Sequence, residues 1–133
     1  MPEKQTLKKA RKAKREGKSP TTQAGEFVHE EIKHIRKGKH GARSTKQAIA
    51  IGLSKARRAG VKLKPPKKGT TSERTRKSAE KAYRAGSQNG SHKTNPRRSR
   101  AMRRVLKREG HRVVSRKALS RHATQAASRK SAA

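Results

Sequence analysis

The sequence predicts an all-α chain of short helical hairpins joined by basic flexible linkers, partly disordered. Three observations predict it. Apolar residues recur three and four apart where they cluster, as at Ala24, Val28, Ile32 and Ile35, which is the period of one helix face. Ser, Thr and Asn stand at the starts of these stripes and Gly at their ends, the usual start and stop chemistry of helices. Finally, hydrophobic residues are 27% of the 133, and 18 of those 36 are Ala, so there is too little large apolar surface for one big core.

The elements follow in order. Residues 1–20 hold eight basic and two acidic residues, with Leu7 the one large apolar group after Met1. They read as a disordered basic arm in which residues 4–16 become helical on neutralisation by phosphate. Residues 21–61 read as an N-terminal helical hairpin. Its first helix starts at Ser19-Pro20 or Thr22, carries Phe27 beside the Ala24 to Ile35 stripe, and stops at Gly38. After the loop "GKHGAR", Ser44 and Gln47 have the spacing of a capping box. Ile49, Leu53 and Ala56 then line a second helix, which Gly60 ends as a left-handed C-cap with Val61 folding back on the last turn.

Residues 62–95 read as a basic linker with one marginal helix at about 71–85, the prolines and lysines of "KLKPPKKG" favouring extended solvated backbone. Thr70 and Glu73 repeat the capping-box spacing, and "KAYRAG" ends at Gly86 as "KARRAG" ends at Gly60. Residues 44–60 laid on 70–86 give 6 identities in 17, the product of either duplication or shared cap chemistry. That helix has only Ala79, Ala82 and Tyr83 to bury. The stretch 87–95 reads as flexible. Asn95-Pro96 is a start signal, a capping side chain followed by Pro at the first helical position, and opens an Arg-rich C-terminal hairpin over 96–127. Met102, Val105 and Leu106 stripe its first helix; Val114 and Leu119 are placed as a hydrophobic staple around cap Ser115 in its second, with Ala123 and Ala126 beyond. Residues 128–133 read as a frayed tail.

Charge decides the class of partner. Forty Lys and Arg against eight acids give a formal charge of +32, a self-repelling excess that a polyanion neutralises best. The sequence has no run of ~20 apolar residues and no amphipathic helix faced with Trp, Phe and Leu, so nucleic acid is expected as the partner and membrane is not. Aromatics are 2% of the chain, too few for the stacking platforms of single-strand readers. Duplex DNA is therefore favoured over RNA. Residues 1–68 carry 15 Lys and 6 Arg, whereas 69–133 carry 6 Lys and 13 Arg. The Arg fork can read guanine or enter a narrow minor groove where Lys is a point charge, so any selectivity belongs to the C-terminal half.

Catalytic and metal motifs fail on spacing. "HEEIKH", residues 29–34, resembles the His-Glu-x-x-His of zinc peptidases, but its histidines are five apart and point about 140° away from one another on a helix. Lys33 takes the position the second ligand would need. The chain holds no Cys or Asp. "GKHGARSTK" lacks the glycine spacing and the preceding strand of a P-loop, though a Gly-containing loop before a helix start suits a phosphate. Glu26, Glu30 and Glu31 read as a solvated helix face, and His92, His111 and His122 as surface residues. No catalytic residue, metal or cofactor is expected.

The nucleic-acid contacts are assigned to Lys39, Arg43, Ser44, Thr45 and Lys46 of the loop and helix start, to Lys55, Arg57 and Arg58, and to Arg97, Arg98, Arg100, Arg103, Arg104, Lys107, Arg108 and Arg112. The stretch "GEFVHEEIKHIRKGKHGARSTKQAIAIGLSKARRAGVKLKPP", and "KQAIAIGLSKARRAG" above all, resembles a family of small, very basic bacterial proteins of poorly defined function, often labelled plasmid stabilisation or DNA-binding proteins. The resemblance implies a cytoplasmic, nucleoid- or plasmid-associated setting in a bacterium. In composition alone the tails resemble bacterial histone H1-like proteins. The expected function is non-catalytic, largely sequence-independent binding and compaction of duplex DNA. Two other readings are a structural RNA-binding protein of ribosomal type and a plasmid partition adaptor docking a protein through the 26–35 helix. The apolar stripes would also serve a homo-oligomer.

Overall fold

The protein, seen in a computed structural model, is described over residues 3–87 and 95–132, the last four by backbone alone. It is all-α, with helices α1 (Lys4–Arg15), α2 (Pro20–Arg36), α3 (Thr45–Arg58), α4 (Glu73–Ser87), α5 (Pro96–Arg108) and α6 (Arg116–Ala132), and a short 3-10 turn at Arg112–Val114. No described helix is long and apolar enough to cross a membrane. The stretch 87–95 lies outside the described residues except at its two ends, and so does His92.

The chain does not divide at its proline linker. Within the described residues, one compact unit takes in 3–30 and 51–87 and a second takes in 31–50 and 95–132, so the predicted N-terminal hairpin is shared between them. The physical cause is the split of its apolar stripes into two clusters.

In the first unit Phe27, Ala24, Ala10, Ala56 and Val61 are buried together, with Leu7, Leu53 and Leu63 packed against them. The predicted disordered arm is thus corrected: α1 is a packed helix, with Thr6, Ala10 and Ala13 buried on one face. These are small residues spaced four and three apart, so the face is amphipathic without being conspicuously apolar. Glu30 accounts for the helix start, since its carboxylate accepts the Glu3 amide at 2.5 Å and sets a negative charge at the N-terminal end of the α1 dipole. The helix ends at Gly17, φ +75°, where the Lys18 amide reaches the Ala13 carbonyl at 3.0 Å and the Gly17 amide the Lys14 carbonyl at 3.1 Å. That is a Schellman cap. The same pair of bonds closes α3, from Val61 to Ala56 at 3.0 Å and from Gly60 to Arg57 at 3.1 Å, as the sequence predicts.

Helix α4 belongs to this unit and buries Ala79 and Ala82. Its start is corrected from Thr70 to Ser72, whose hydroxyl accepts the Thr75 amide at 3.3 Å, while the Thr70 hydroxyl turns back to the Lys67 carbonyl at 2.5 Å. The likeness of Gly86 to Gly60 is corrected too. Gly60 has φ +101° and caps a helix, whereas Gly86 lies within α4 and has no positive φ. A Cβ on Gly86 would sit 1.8 Å from the Arg57 carbonyl oxygen, so it is glycine because the end of α3 passes there. Arg76 binds Glu73 through two hydrogen bonds of 3.2 and 2.9 Å; those bonds hold the Glu73 carboxyl below its ordinary range.

In the second unit Ile35, Ala42, Ala48 and Val114 are fully or almost fully buried, with Ile32 and Val113 against them. Val114 fills the space between the end of α2 and the start of α3. Arg36 Nε donates to the Val114 carbonyl at 3.0 Å. Asn95 caps α5 by accepting the Arg97 amide at 3.0 Å, and Ser115 caps α6 by accepting the Ala118 amide at 3.1 Å, both at the predicted positions. The predicted tail is corrected, since the α6 backbone is helical to Ala132.

Candidate nucleic-acid interface

Helix α5 is where the predicted contacts concentrate. Its 13 residues bury none of their side chains. Arg97, Arg98, Arg100, Arg103, Arg104, Lys107 and Arg108 are all exposed, and so are Met102 and Val105 of its predicted stripe. Seven cations lie on about 20 Å of helix axis with no acid among them. Such a surface gains most by lying along a polyanion.

The loop before α3 meets its prediction only in part. Its side chains Lys39, Arg43 and Lys46 are exposed, but its backbone is committed to the fold. The Gly41 amide donates to the Leu106 carbonyl at 2.7 Å and the Ala42 amide to the Gly110 carbonyl at 3.0 Å. A Cβ on Gly41 would fall 2.0 Å from the Glu109 carbonyl oxygen, so this glycine lets two backbones touch instead of admitting a phosphate. Ser44 Oγ accepts the Gln47 amide at 3.1 Å, and the Gln47 side chain returns to the Arg43 amide at 2.6 Å, a capping box displaced by one residue. Thr45 Oγ1 donates to the Val113 carbonyl at 2.6 Å. Ser44 and Thr45 are therefore cap and strut.

Arg57 is corrected outright. It is 8% exposed, with Nε donating to the Leu63 carbonyl at 3.1 Å and Nη2 to the Lys64 carbonyl at 3.4 Å. Burial lowers its pKa from the ordinary arginine value. Pro65 and Pro66 follow these carbonyls and hold the chain extended, so the guanidinium supplies donors that regular structure does not. Arg58 is exposed and Lys55 half-buried. Arg57→Met should lower urea-measured stability by about 2 kcal/mol, the usual range for a buried hydrogen bond to a charged group. Arg58→Gln should change stability by less than about 0.5 kcal/mol and shallow the salt dependence of nucleic-acid affinity by about one unit.

In the second unit the structure adds two residues, Arg121, which the sequence does not single out, and His122, which it reads only as a surface residue. Arg121 and His122 of α6 line one groove with Thr45 and Lys46 at the start of α3, and with exposed Arg112. No periodicity points to them, because the pairing joins segments some 75 residues apart.

The acids are also corrected, because Glu30 is 5% and Glu31 1% exposed, not a solvated face. Glu30 caps α1, and Glu31 Oε1 meets His40 Nε2 at 2.7 Å. Glu31, His34 and His40 bring three donor atoms within 4.8 Å of one another, where the sequence expects no metal-ligating group. His29, the first histidine of the zincin-like stretch, is exposed and outside that cluster.

Residues 4–68 match the model of a family of unknown function, DUF6496. The match runs from the first residue of α1 through α2 and α3 into the proline linker, and so includes Lys39 to Arg58 but not α5. No curated protein and no solved structure matches the chain.

Proposed function

We propose that the protein is a non-catalytic binder of duplex DNA with little sequence preference, acting in compaction in a bacterial nucleoid or on a plasmid. The observation that carries this reading is α5, a helix of seven exposed cations and no buried side chain. A helix that buries no residue fully gains little from its own unit, whereas phosphates would neutralise its charge and release condensed counterions.

The disposition of the acids supports the same reading. At least five of the eight acids, Glu16, Glu30, Glu31, Glu73 and Glu80, are engaged by groups of the protein itself. Glu30 and Glu31 thus tie separate segments together, Glu16, Glu73 and Glu80 pair with cations close by in sequence, and most cations face solvent. Exposed cations occur in both units, so one chain has two sets of attachments with which to bridge or coat DNA. The adaptor reading loses ground, because Glu30 and Glu31 are buried in place and unavailable to a partner.

The test is competition between duplex DNA and structured RNA of equal length for nuclease-stripped protein, across ~50 to 200 mM salt, where many phosphate contacts cost orders of magnitude in affinity. A duplex preference that persists at the upper salt supports the proposal. An RNA preference replaces it with a ribosomal-type structural role.

A further inference from the structure

We propose that Glu31, His34 and His40 form a binding site for one divalent transition-metal ion, Zn2+ being the best match. The site is distinct from the cationic helix and does not depend on nucleic-acid binding. Glu31 and His34 are three apart on α2, so both project from one face, as in the Glu-x-x-His pairs that ligate metals inside helix bundles. His40 arrives from beyond the Gly38 cap. The helix alone could not have supplied this third donor.

The geometry around His40 suits a metal ion. Nδ1 lies 2.9 Å from the Gly41 carbonyl oxygen, an atom that only accepts, so the Nδ1 hydrogen is committed there. Nε2 faces the Glu31 carboxylate at 2.7 Å, so the two ligand atoms already converge on one point where an ion could be held by both. An imidazole whose other nitrogen donates to a backbone carbonyl is the usual form of a metal-bound histidine. The orienting carbonyl is itself fixed, since Gly41 is buried and its amide is bonded to Leu106.

Size and chemistry fit. Ligand atoms on one tetrahedral ion with bonds of about 2.0–2.1 Å lie about 3.3 Å apart, between the 2.7 Å of the Glu31–His40 pair and the 4.8 Å limit of the cluster. The His34 and His40 rings stand 6.5 Å apart between centroids, so a small closure of the two side chains brings both onto one ion. Two imidazoles and one carboxylate suit Zn2+, Co2+ or Ni2+ and not Mg2+ or Ca2+, which prefer oxygen throughout. The Glu31 side chain is 1% exposed and that of His40 17%. A buried carboxylate offsets the field of Lys33, Lys37 and Lys39, whose exposed charges are screened by salt. Bound metal would fasten the loop carrying Lys39 and Arg43 to the end of α2.

The experiment is titration of the full-length, nucleic-acid-free protein with Co2+, read by its visible ligand-field absorption, followed by displacement with Zn2+. The expected result is one Co2+ per chain with the intense bands of low coordination number. His40→Gln and His34→Gln should each weaken binding by about 100-fold or more, at or above the loss caused by removing an outer-shell partner. His29→Gln should leave binding unchanged. Helicity is followed in parallel, and because His34 is only half-buried, His34→Gln decides the matter if His40→Gln unfolds. Absence of ligand-field bands in the wild-type protein, or bands that survive His34→Gln, would overturn the three-donor site and leave the Glu31–His40 contact as a structural hydrogen bond.

Discussion

Glutamine at Arg97, Arg98, Arg100, Arg103 and Arg104 together should cut duplex affinity at ~0.1 M salt by roughly 100- to 1,000-fold while leaving the fold intact. Successive residues on a helix are 100° apart, so about three of these five side chains reach phosphate at once. At about 0.9 unit of salt slope per phosphate contact, the slope should fall by nearly three units. The fold survives because all five are exposed and Gln is close to Arg in helix propensity. Neutralising Arg74, Lys77 and Lys81, exposed cations of α4, is the control. An equal loss per charge in the two variants would mean that net charge alone binds DNA and that α5 has no special part. Unchanged affinity in the α5 variant would sink the proposed interface.

What the sequence discloses here is local. Asn95-Pro96, the Ser44 and Gln47 pair and the Gly60 cap are each settled by residues within a turn of one another, and all three appear at their predicted places. The same reasoning could have found the Gly17 cap, but a disordered arm has no use for one. Helix α1 was hidden because its buried face is Thr6, Ala10 and Ala13, residues whose small size lets helices approach closely without any apolar signal. The division into two units is non-local. It follows from Val114 joining Ile35 and Ala48, a meeting that no window of sequence contains.

The site residues divide on the same line. Exposure of the α5 arginines follows from charge in excess of anything the chain could bury. Arg57 has the same composition signal as Arg58, and only the proline-bound carbonyls of Leu63 and Lys64 distinguish it. Glu30 and Glu31 go against the ordinary expectation that paired acids on a helix face water. Each is buried because its partner, the α1 start or His40, arrives from a segment that spacing rules do not connect to it.

Gly52→Val should destabilise the first unit by about 3 kcal/mol, the upper range for overpacking a tight contact, and Gly25→Ala should stabilise it by about 0.5–1 kcal/mol. Both glycines lie inside helices, so propensity alone predicts a gain from either substitution. Packing separates them. A Cβ at Gly52 would lie 2.6 Å from the Val28 Cα and 3.0 Å from the Val28 amide nitrogen, whereas a Cβ at Gly25 meets nothing within 4 Å. The obstacle at Gly52 is backbone, which cannot rotate aside, so α2 and α3 must part. Parting them loosens Phe27, Ala24 and Ala56, the centre of the first cluster, in a chain with few large apolar side chains to fill the gap. Urea unfolding of the two variants beside the wild type measures both signs. If Gly52→Val is neutral, the two helices do not pass as closely as this glycine implies, and the first cluster does not depend on their approach.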